Sequence, residues 1–325
     1  MLNRLSQLAA LALATSAAAL NIILTNDDSW ASANIRATYE ALKADGHNVL
    51  LIGPAVQQSG KGGTFVLPTT NITAPGGEFG TIPVGAPYYG QDLNDSSIRY
   101  LNGTPAACAI YGLDIIAPTF FKNQSVDLLV SGPNEGQNNG PFLYALSGTI
   151  GAAYTAVGRG IPSIAFSAQN GTHRSYTTNT GLPSDPANLA GRLAANLVAA
   201  LANGIDTSKE RLLPLGVGLS VNLPLFGPTS NCTEPPFTLT RMTGGAVTNK
   251  VVIDPSTGFP IYQNVIPKAL NTAYNGVPIL PGESIVSATC RTAVSVFSID
   301  YDAPSKVAEP VQLQLLPVVG TSKLA

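Results

Sequence analysis

Four runs of apolar, β-prone residues in the first 170 positions each end in a short polar stretch, which restricts the chain to folds whose strand ends share an edge. Asn21-Ile22-Ile23-Leu24 runs into Thr25-Asn26-Asp27-Asp28, and Asn48-Val49-Leu50-Leu51-Ile52 leads to Gln57-Gln58-Ser59-Gly60. Val126-Asp127-Leu128-Leu129-Val130 ends in Ser131-Gly132-Pro133-Asn134, and Pro162-Ser163-Ile164-Ala165-Phe166 in Ser167-Ala168-Gln169. In a parallel α/β sheet the loops leaving the carboxyl ends of the strands lie along one edge, and ligands bind there. Between the first two runs, Ile35, Tyr39 and Leu42 recur at helical spacing over 33–45 and Gly46 stops the helix. That is a βαβ opening, with a right-handed crossover and parallel pairing.

The rest of the core follows the same alternation. Residues 68–96, dense in Gly, Pro, Thr and Asn, form a long excursion that can carry a hairpin; a helix over 104–116 then opens on Thr104-Pro105. A strand at 126–131, a helix at 149–159 and a strand at 162–167 come next. Ser184 to Ala202 is amphipathic, with Leu189, Leu193, Leu197 and Leu201 four apart, and a strand at 214–222 completes the sheet. Beyond about residue 224 proline and glycine are dense and Ala293–Ile299 is the only strong strand. The expected organisation is a signal peptide over 1–20, an α/β core over 21–223, and a β-rich extension over 224–325 packing on that core.

Arg4, the Leu/Ala-rich stretch through Leu13 and the small residues Thr15 to Ala19 have the n-region, h-region and cleavage pattern of a secretory signal. Outside it no apolar run reaches 18 residues, so no membrane span is expected in the mature chain. Sequons at Asn71, Asn94, Asn102, Asn123, Asn170 and Asn231 fit a secreted glycoprotein. In an oxidising compartment Cys232 and Cys290, both in the loop-rich part, are expected to pair, leaving Cys108 free in an apolar helix. Without the signal, 16 basic residues face 19 acidic ones, which speaks against a nucleic-acid polymer as partner.

Adjacent carboxylates at a strand end raise one another's pKa unless a cation neutralises them. Asp27-Asp28 therefore points to a divalent ion, with the Ser59 hydroxyl and the Asn134 amide oxygen completing an all-oxygen shell for Mg2+ or Mn2+, and Ca2+ as the weaker alternative. Ser147-Gly148-Thr149 opens a helix, so its N–H groups and hydroxyls suit an anion at the positive end of the dipole. The turn after the first strand lacks G-x-G-x-x-G, and Gly60-Lys61-Gly62-Gly63-Thr64 is not a Walker loop, so no dinucleotide cofactor is expected. Among the two histidines, His47 enters the second strand at the opposite edge and is structural. His173 follows the strand ending at Ser167 and reads as a loop residue, with protonation of a leaving group or a phosphate contact as the functional alternative.

Taken together, Ile23-Leu24-Thr25-Asn26-Asp27-Asp28, Gln58-Ser59-Gly60, Asn102-Gly103-Thr104-Pro105-Ala106-Ala107-Cys108, Ser131-Gly132-Pro133-Asn134-Glu135-Gly136-Gln137-Asn138-Asn139-Gly140, Ser147-Gly148-Thr149-Ile150-Gly151 and Gly160-Ile161-Pro162-Ser163 resemble the SurE family of 5′/3′-nucleotidases and acid phosphatases. The resemblance runs in unbroken order over about 21–225. It implies a Rossmann-like three-layer α/β/α sandwich with a mainly parallel sheet and a C-terminal β-rich arm. It implies metal ligation by Asp27, Asp28, Ser59 and Asn134. Phosphate binding falls to Asn26, Asn138, Ser147, Gly148 and Thr149, and Asp27, Asp28, Asn138 and Ser147 carry the catalytic roles.

The implied activity is hydrolysis of nucleoside monophosphates or similar small phosphate esters. The rival reading is a catalytically silent phosphate- or nucleotide-binding protein on the same fold. Family members exchange the C-terminal arm in dimers or tetramers, so a homodimer is the implied assembly, although a proline-rich, disulfide-tied arm departs from that pattern. Ser29 stands where the family has glycine, Pro133 where it has an aliphatic residue, and Ala107 where Asp is common.

Overall fold

The computed structural model describes residues 19–169, 172–228, 230–242, 249–264, 280–300, 302 and 305–316. Most of the N-terminal leader and the sequon at Asn170 lie outside them. Strands β1 (Asn21–Thr25), β2 (Asn48–Pro54), β3 (Tyr89–Gln91), β4 (Ile98–Leu101), β5 (Leu128–Glu135), β6 (Ser163–Ala168), β7 (Val217–Leu223), β8 (Phe237–Thr240) and β11 (Thr292–Ser298) form one sheet in the order β3-β4-β2-β1-β5-β6-β7-β11-β8. β9 (Asn249–Ile253) and β10 (Pro260–Asn264) make a separate antiparallel hairpin. From β4 to β7 every pairing is parallel; β3 and β11 run antiparallel to their inner neighbours.

The helices are α1 (Ala33–Ala44), α2 (Pro105–Tyr111), α3 (Ala117–Phe120), α4 (Gly140–Leu146), α5 (Gly148–Gly158), α6 (Pro186–Ala202), α7 (Glu283–Ser287) and α8 (Ser305–Leu315). Side chains alternate across a strand, and β1 shows the result: Ile22 and Leu24 join one buried cluster with Ile35, Tyr39 and Leu42 of α1 and Val198 of α6, while Ile23 joins another with Cys108 of α2 and Ala152 of α5. Both faces of the sheet are thus covered, giving the three-layer α/β sandwich expected from the sequence.

Several elements differ from the sequence reading. β4, a four-residue strand set among Asp, Asn and Ser, extends the parallel sheet beyond β2, and β3 folds back on it as the hairpin of the 68–96 excursion. The helix expected over 104–116 stops at Tyr111 and continues as one wide π turn, Gly112–Ile116, where a Cβ on Gly112 would come within 2.9 Å of Ile52. Beyond residue 224 the chain is not only β: α8 carries Pro310 in its interior, which masks its helical pattern. β8 and β11 lengthen the main sheet. Cys232 and Cys290 are joined, with Cα atoms 5.3 Å apart, and the buried Cys108 thiol is free.

A buried metal-type carboxylate site at the sheet switch point

The chain winds outward from β1 in both directions, to β2 and β4 on one side and to β5, β6 and β7 on the other. The crevice between β1 and β5 is therefore the topological switch point, where ligands of such sheets bind. Asp27 and Asp28 leave β1 there, and Asn134 and Glu135 end β5 beside them. β5 reaches the spot through an irregularity: Ser131 pairs with Ala165 and Asn134 with Ser167, so three steps on β5 match two on β6. The extra residue turns the end of β5, as bulges near ligand sites do. This is why the strand expected to finish at 131 runs on to Glu135.

Asp27 and Asp28 are each 2% exposed, and no described Lys or Arg pairs with either. Burial pushes the Asp27 carboxyl up, against hydrogen bonds from the Thr149 hydroxyl and from backbone N–H groups that include those of Thr149 and Gly148. Burial, the Asp27 charge and the Glu135 charge push Asp28 well above the ordinary range. Thr149 Oγ1 donates to Asp27 Oδ1 at 2.5 Å and lies 3.3 Å from Asn134 Oδ1, so the first turn of α5 locks these two side chains together. Asp28 Oδ2 accepts from Glu135 N at 2.9 Å.

Gly148 is required at this junction: a Cβ there would stand 2.9 Å from Asp27 Cβ and from Pro105 Cγ, and 3.1 Å from Asp27 Oδ2. Ser29, in the turn after the aspartates, adopts φ +89°, a left-handed conformation that costs a non-glycine residue energy. Its hydroxyl accepts from Ala31 N at 3.2 Å and its carbonyl from Asn26 Nδ2 at 2.9 Å, which partly offsets that cost.

The other sequence-chosen residues divide. Ser147 caps α5, its Oγ accepting from Ile150 N, and is buried at the helix start with Gly148 and Thr149. Asn138 is buried but turned toward the ends of β6 and β7: Nδ2 donates to Ser167 Oγ at 2.7 Å and its N–H to Asn222 Oδ1 at 2.8 Å. Asn26 is fully buried and uses Nδ2 on its own turn, while its Oδ1 has no partner. Ser59 is exposed and bonded to Gln57 Nε2 at 2.8 Å; no described contact joins its hydroxyl to Asp27, Asp28 or Asn134. Its loop is nonetheless tied to the site, because Gln58 N donates to Asp27 O at 2.7 Å.

Of two further residues in the site wall, the sequence singled out His173, as a loop residue with a proton-donating or phosphate-binding alternative, and did not single out Glu135. Glu135 has its carboxyl pushed up to about 7 by burial, against the opposing effect of His173. His173, read from sequence as a loop residue, is clamped between two carboxylates: Nδ1 lies 2.6 Å from Glu135 Oε2 and Nε2 3.0 Å from Glu78 Oε1. Burial lowers its pKa, but the carboxylates win and hold it above the ordinary value. Glu78 sits in the 68–96 excursion and also accepts from Gln57 N at 2.7 Å. His47, by contrast, is buried away from this edge, where its Nδ1 accepts from Leu20 N at 3.2 Å.

A cavity of about 710 Å3 lies elsewhere, along α1, lined by Arg36, Glu40, Asp92 and Tyr176, and none of these site residues borders it. The donor set fits a hard divalent ion: two buried carboxylates with no Lys or Arg partner among the described residues, and the Asn134 amide oxygen beside them.

Fold and site together define a doubly wound α/β protein with an acidic switch-point crevice beside a helix N-terminus. The family described as "Survival protein SurE" matches residues 22–249, and this chain belongs to it. A protein called "Acid phosphatase" from Yarrowia lipolytica is 48% identical over 297 residues, covering 90% of this chain and 82% of that protein. A "5'-nucleotidase SurE" from Lawsonia intracellularis is 33% identical over 208 residues, 63% of this chain and 66% of the relative. Among solved structures, the SurE protein from Aquifex aeolicus superposes with a TM-score of 0.60 at 23% identity, covering 90% of this chain and 98% of that one, which shows the shared fold.

Proposed function

We propose that this chain is a divalent-metal-dependent phosphomonoesterase that hydrolyses nucleoside monophosphates or similar small phosphate esters, and that it works outside the cell. The observation that carries the reading is the Asp27–Thr149–Asn134 contact, with Asp28 against the end of β5: an anionic pair buried without a counter-charge at the sheet's ligand edge. The names borne by the Yarrowia and Lawsonia relatives support phosphate ester hydrolysis.

Asp27, Asp28 and Asn134 would hold Mg2+ or Mn2+, with Ser59 completing the shell from its exposed loop. When bound, the ion supplies Lewis-acid polarisation of a phosphoryl oxygen and a water of lowered pKa. The chain's own residues do the rest. Thr149 and Gly148 fix the Asp27 carboxylate, and the Ser147 cap sets the direction of α5, whose dipole favours negative charge at its start. Asn138, anchored by Ser167 and Asn222, shapes the wall toward β6 and β7. A phosphate held there is attacked by water: the new P–O bond forms as the ester P–O bond breaks, the water gives up one proton, and the leaving ester oxygen takes one up to depart as the alcohol.

Secretion is supported by the leader pattern and by the Cys232–Cys290 bond, since disulfides persist in oxidising compartments. Asn71, Asn94, Asn123 and Asn231 are exposed and open to glycosylation. Asp28→Asn is the direct test, read as bound metal per chain and as hydrolysis of a chromogenic phosphate ester. Both should fall together, and a variant that keeps both at wild-type level refutes the assignment.

A further inference from the structure

We propose that the site takes a second divalent cation, held by Asp28, Glu135 and His173, beside the ion assigned to Asp27, Asp28, Ser59 and Asn134; this rests on the metal-site reading above. One donor atom from each of the three residues falls within 4.8 Å of the others. Donors on one ion with bonds of about 2.1 Å stand within about 4.2 Å of each other, so a small side-chain adjustment closes the shell. The half-exposed His173 has room to make it.

Three further observations support the second site. The Glu135 side chain is only 5% exposed, yet its Oε1 has no hydrogen-bond partner, leaving a buried carboxylate oxygen unsatisfied in the cluster. His173 Nε2 is 3.0 Å from Glu78 Oε1, so Glu78 can keep a proton on that nitrogen while an ion takes the place of the proton shared between Nδ1 and Glu135 Oε2, 2.6 Å apart. A carboxylate fixing the far nitrogen of a ligating imidazole is the usual support of a metal-bound histidine.

Charge points the same way. Asp27, Asp28, Glu135 and Glu78 bring four carboxylates together, and His173 is the only basic side chain ion-paired to any of them among the described residues. One divalent ion neutralises half of that charge, and a second the remainder. A nitrogen donor beside two carboxylates suits Mn2+ or Zn2+ better than Mg2+ or Ca2+, which separates this position from the all-oxygen one. Asp28 is common to both, so the two ions would sit as neighbours, the arrangement that clamps the attacking and leaving oxygens of phosphoryl transfer.

The test is ion counting on the full-length, disulfide-bonded protein, stripped with chelator and equilibrated with Mn2+, by elemental analysis together with electron paramagnetic resonance. Wild type should hold two Mn2+ per chain with a spin-coupled spectrum. His173→Ala and Glu135→Gln should each hold one, with an uncoupled spectrum. Glu78→Gln should keep the second ion but weaken its affinity by about 10- to 100-fold. One ion in wild type, or two in both His173→Ala and Glu135→Gln, overturns the second site and leaves the first standing. No ion in wild type overturns both, and His173, being half-exposed, provides a variant whose fold is independent of the buried pair.

Discussion

Thr149 is the hinge on which the ion site can be tested without touching a ligand. Its hydroxyl donates to Asp27 Oδ1 at 2.5 Å and stands 3.3 Å from Asn134 Oδ1, while its backbone N–H serves the same carboxylate. Thr149→Val keeps the shape, the backbone bond and the buried helix turn, and removes only the hydroxyl. A hydrogen bond to a charged group is worth about 1.5–3 kcal/mol, and a tenfold change in affinity corresponds to about 1.4 kcal/mol. The variant should therefore bind Mn2+ about 10- to 100-fold more weakly, in line with the loss of outer-shell partners at other metal sites. Calorimetric titration of chelator-stripped protein gives the number, and the unfolding midpoint of the stripped protein checks that the fold is intact. A dissociation constant unchanged within twofold, or a tighter one, refutes the idea that Thr149 positions Asp27 for an ion.

Further expectations follow from the same geometry. Gly148→Ala drives a methyl to 2.9 Å from Asp27 Cβ and Pro105 Cγ, an overpacking that costs about 1–3 kcal/mol of stability by denaturant unfolding and displaces the carboxylate, so metal affinity falls as well. Reduction of the Cys232–Cys290 bond, which closes a separation of 58 residues, should lower unfolding free energy by about 2–4 kcal/mol in denaturant melts. Asp185 caps α6, accepts from Ala187 N and Thr180 N, and pairs with Arg174; burial raises its pKa, but these partners outweigh that and depress it. A depressed carboxylate stabilises the fold fully above its unfolded value near 3.9, and that contribution disappears as pH falls through the folded value. Asp185→Asn should thus be less stable than wild type at pH 6 by about 1–3 kcal/mol, with the gap narrowing by pH 3.

The core of the fold was legible because its strands are buried on both faces and read as continuous apolar runs, as at Ile22-Ile23-Leu24 and Leu128-Leu129-Val130. The polar endings of those runs led to Asp27, Asp28 and Asn134 for the same reason: strand ends in a parallel sheet share an edge. β4 was not legible, since Ile98-Arg99-Tyr100-Leu101 is too short to show a period and is marked as a strand only by its pairing with β2 and β3. His173 was noticed on the right edge, but its partners Glu135 and Glu78 were not, because 38 and 95 residues separate them from the histidine and nothing local marks either acid as half of a clamp. Ser29 was recognised as a departure, and the structure shows its outcome, a left-handed turn held by the serine's own hydroxyl and carbonyl.

The close contact between Gly148 and Asp27 has a consequence for ion choice. With the Gly148 backbone close against its methylene and Thr149 on its oxygen, the Asp27 carboxylate is fixed in place and cannot follow a change in ionic radius. Ser59, out on an exposed loop, is the donor with freedom to travel. Discrimination between a small cation and a larger one therefore falls to the reach of that loop, and the rigid wall opposite serves as its gauge.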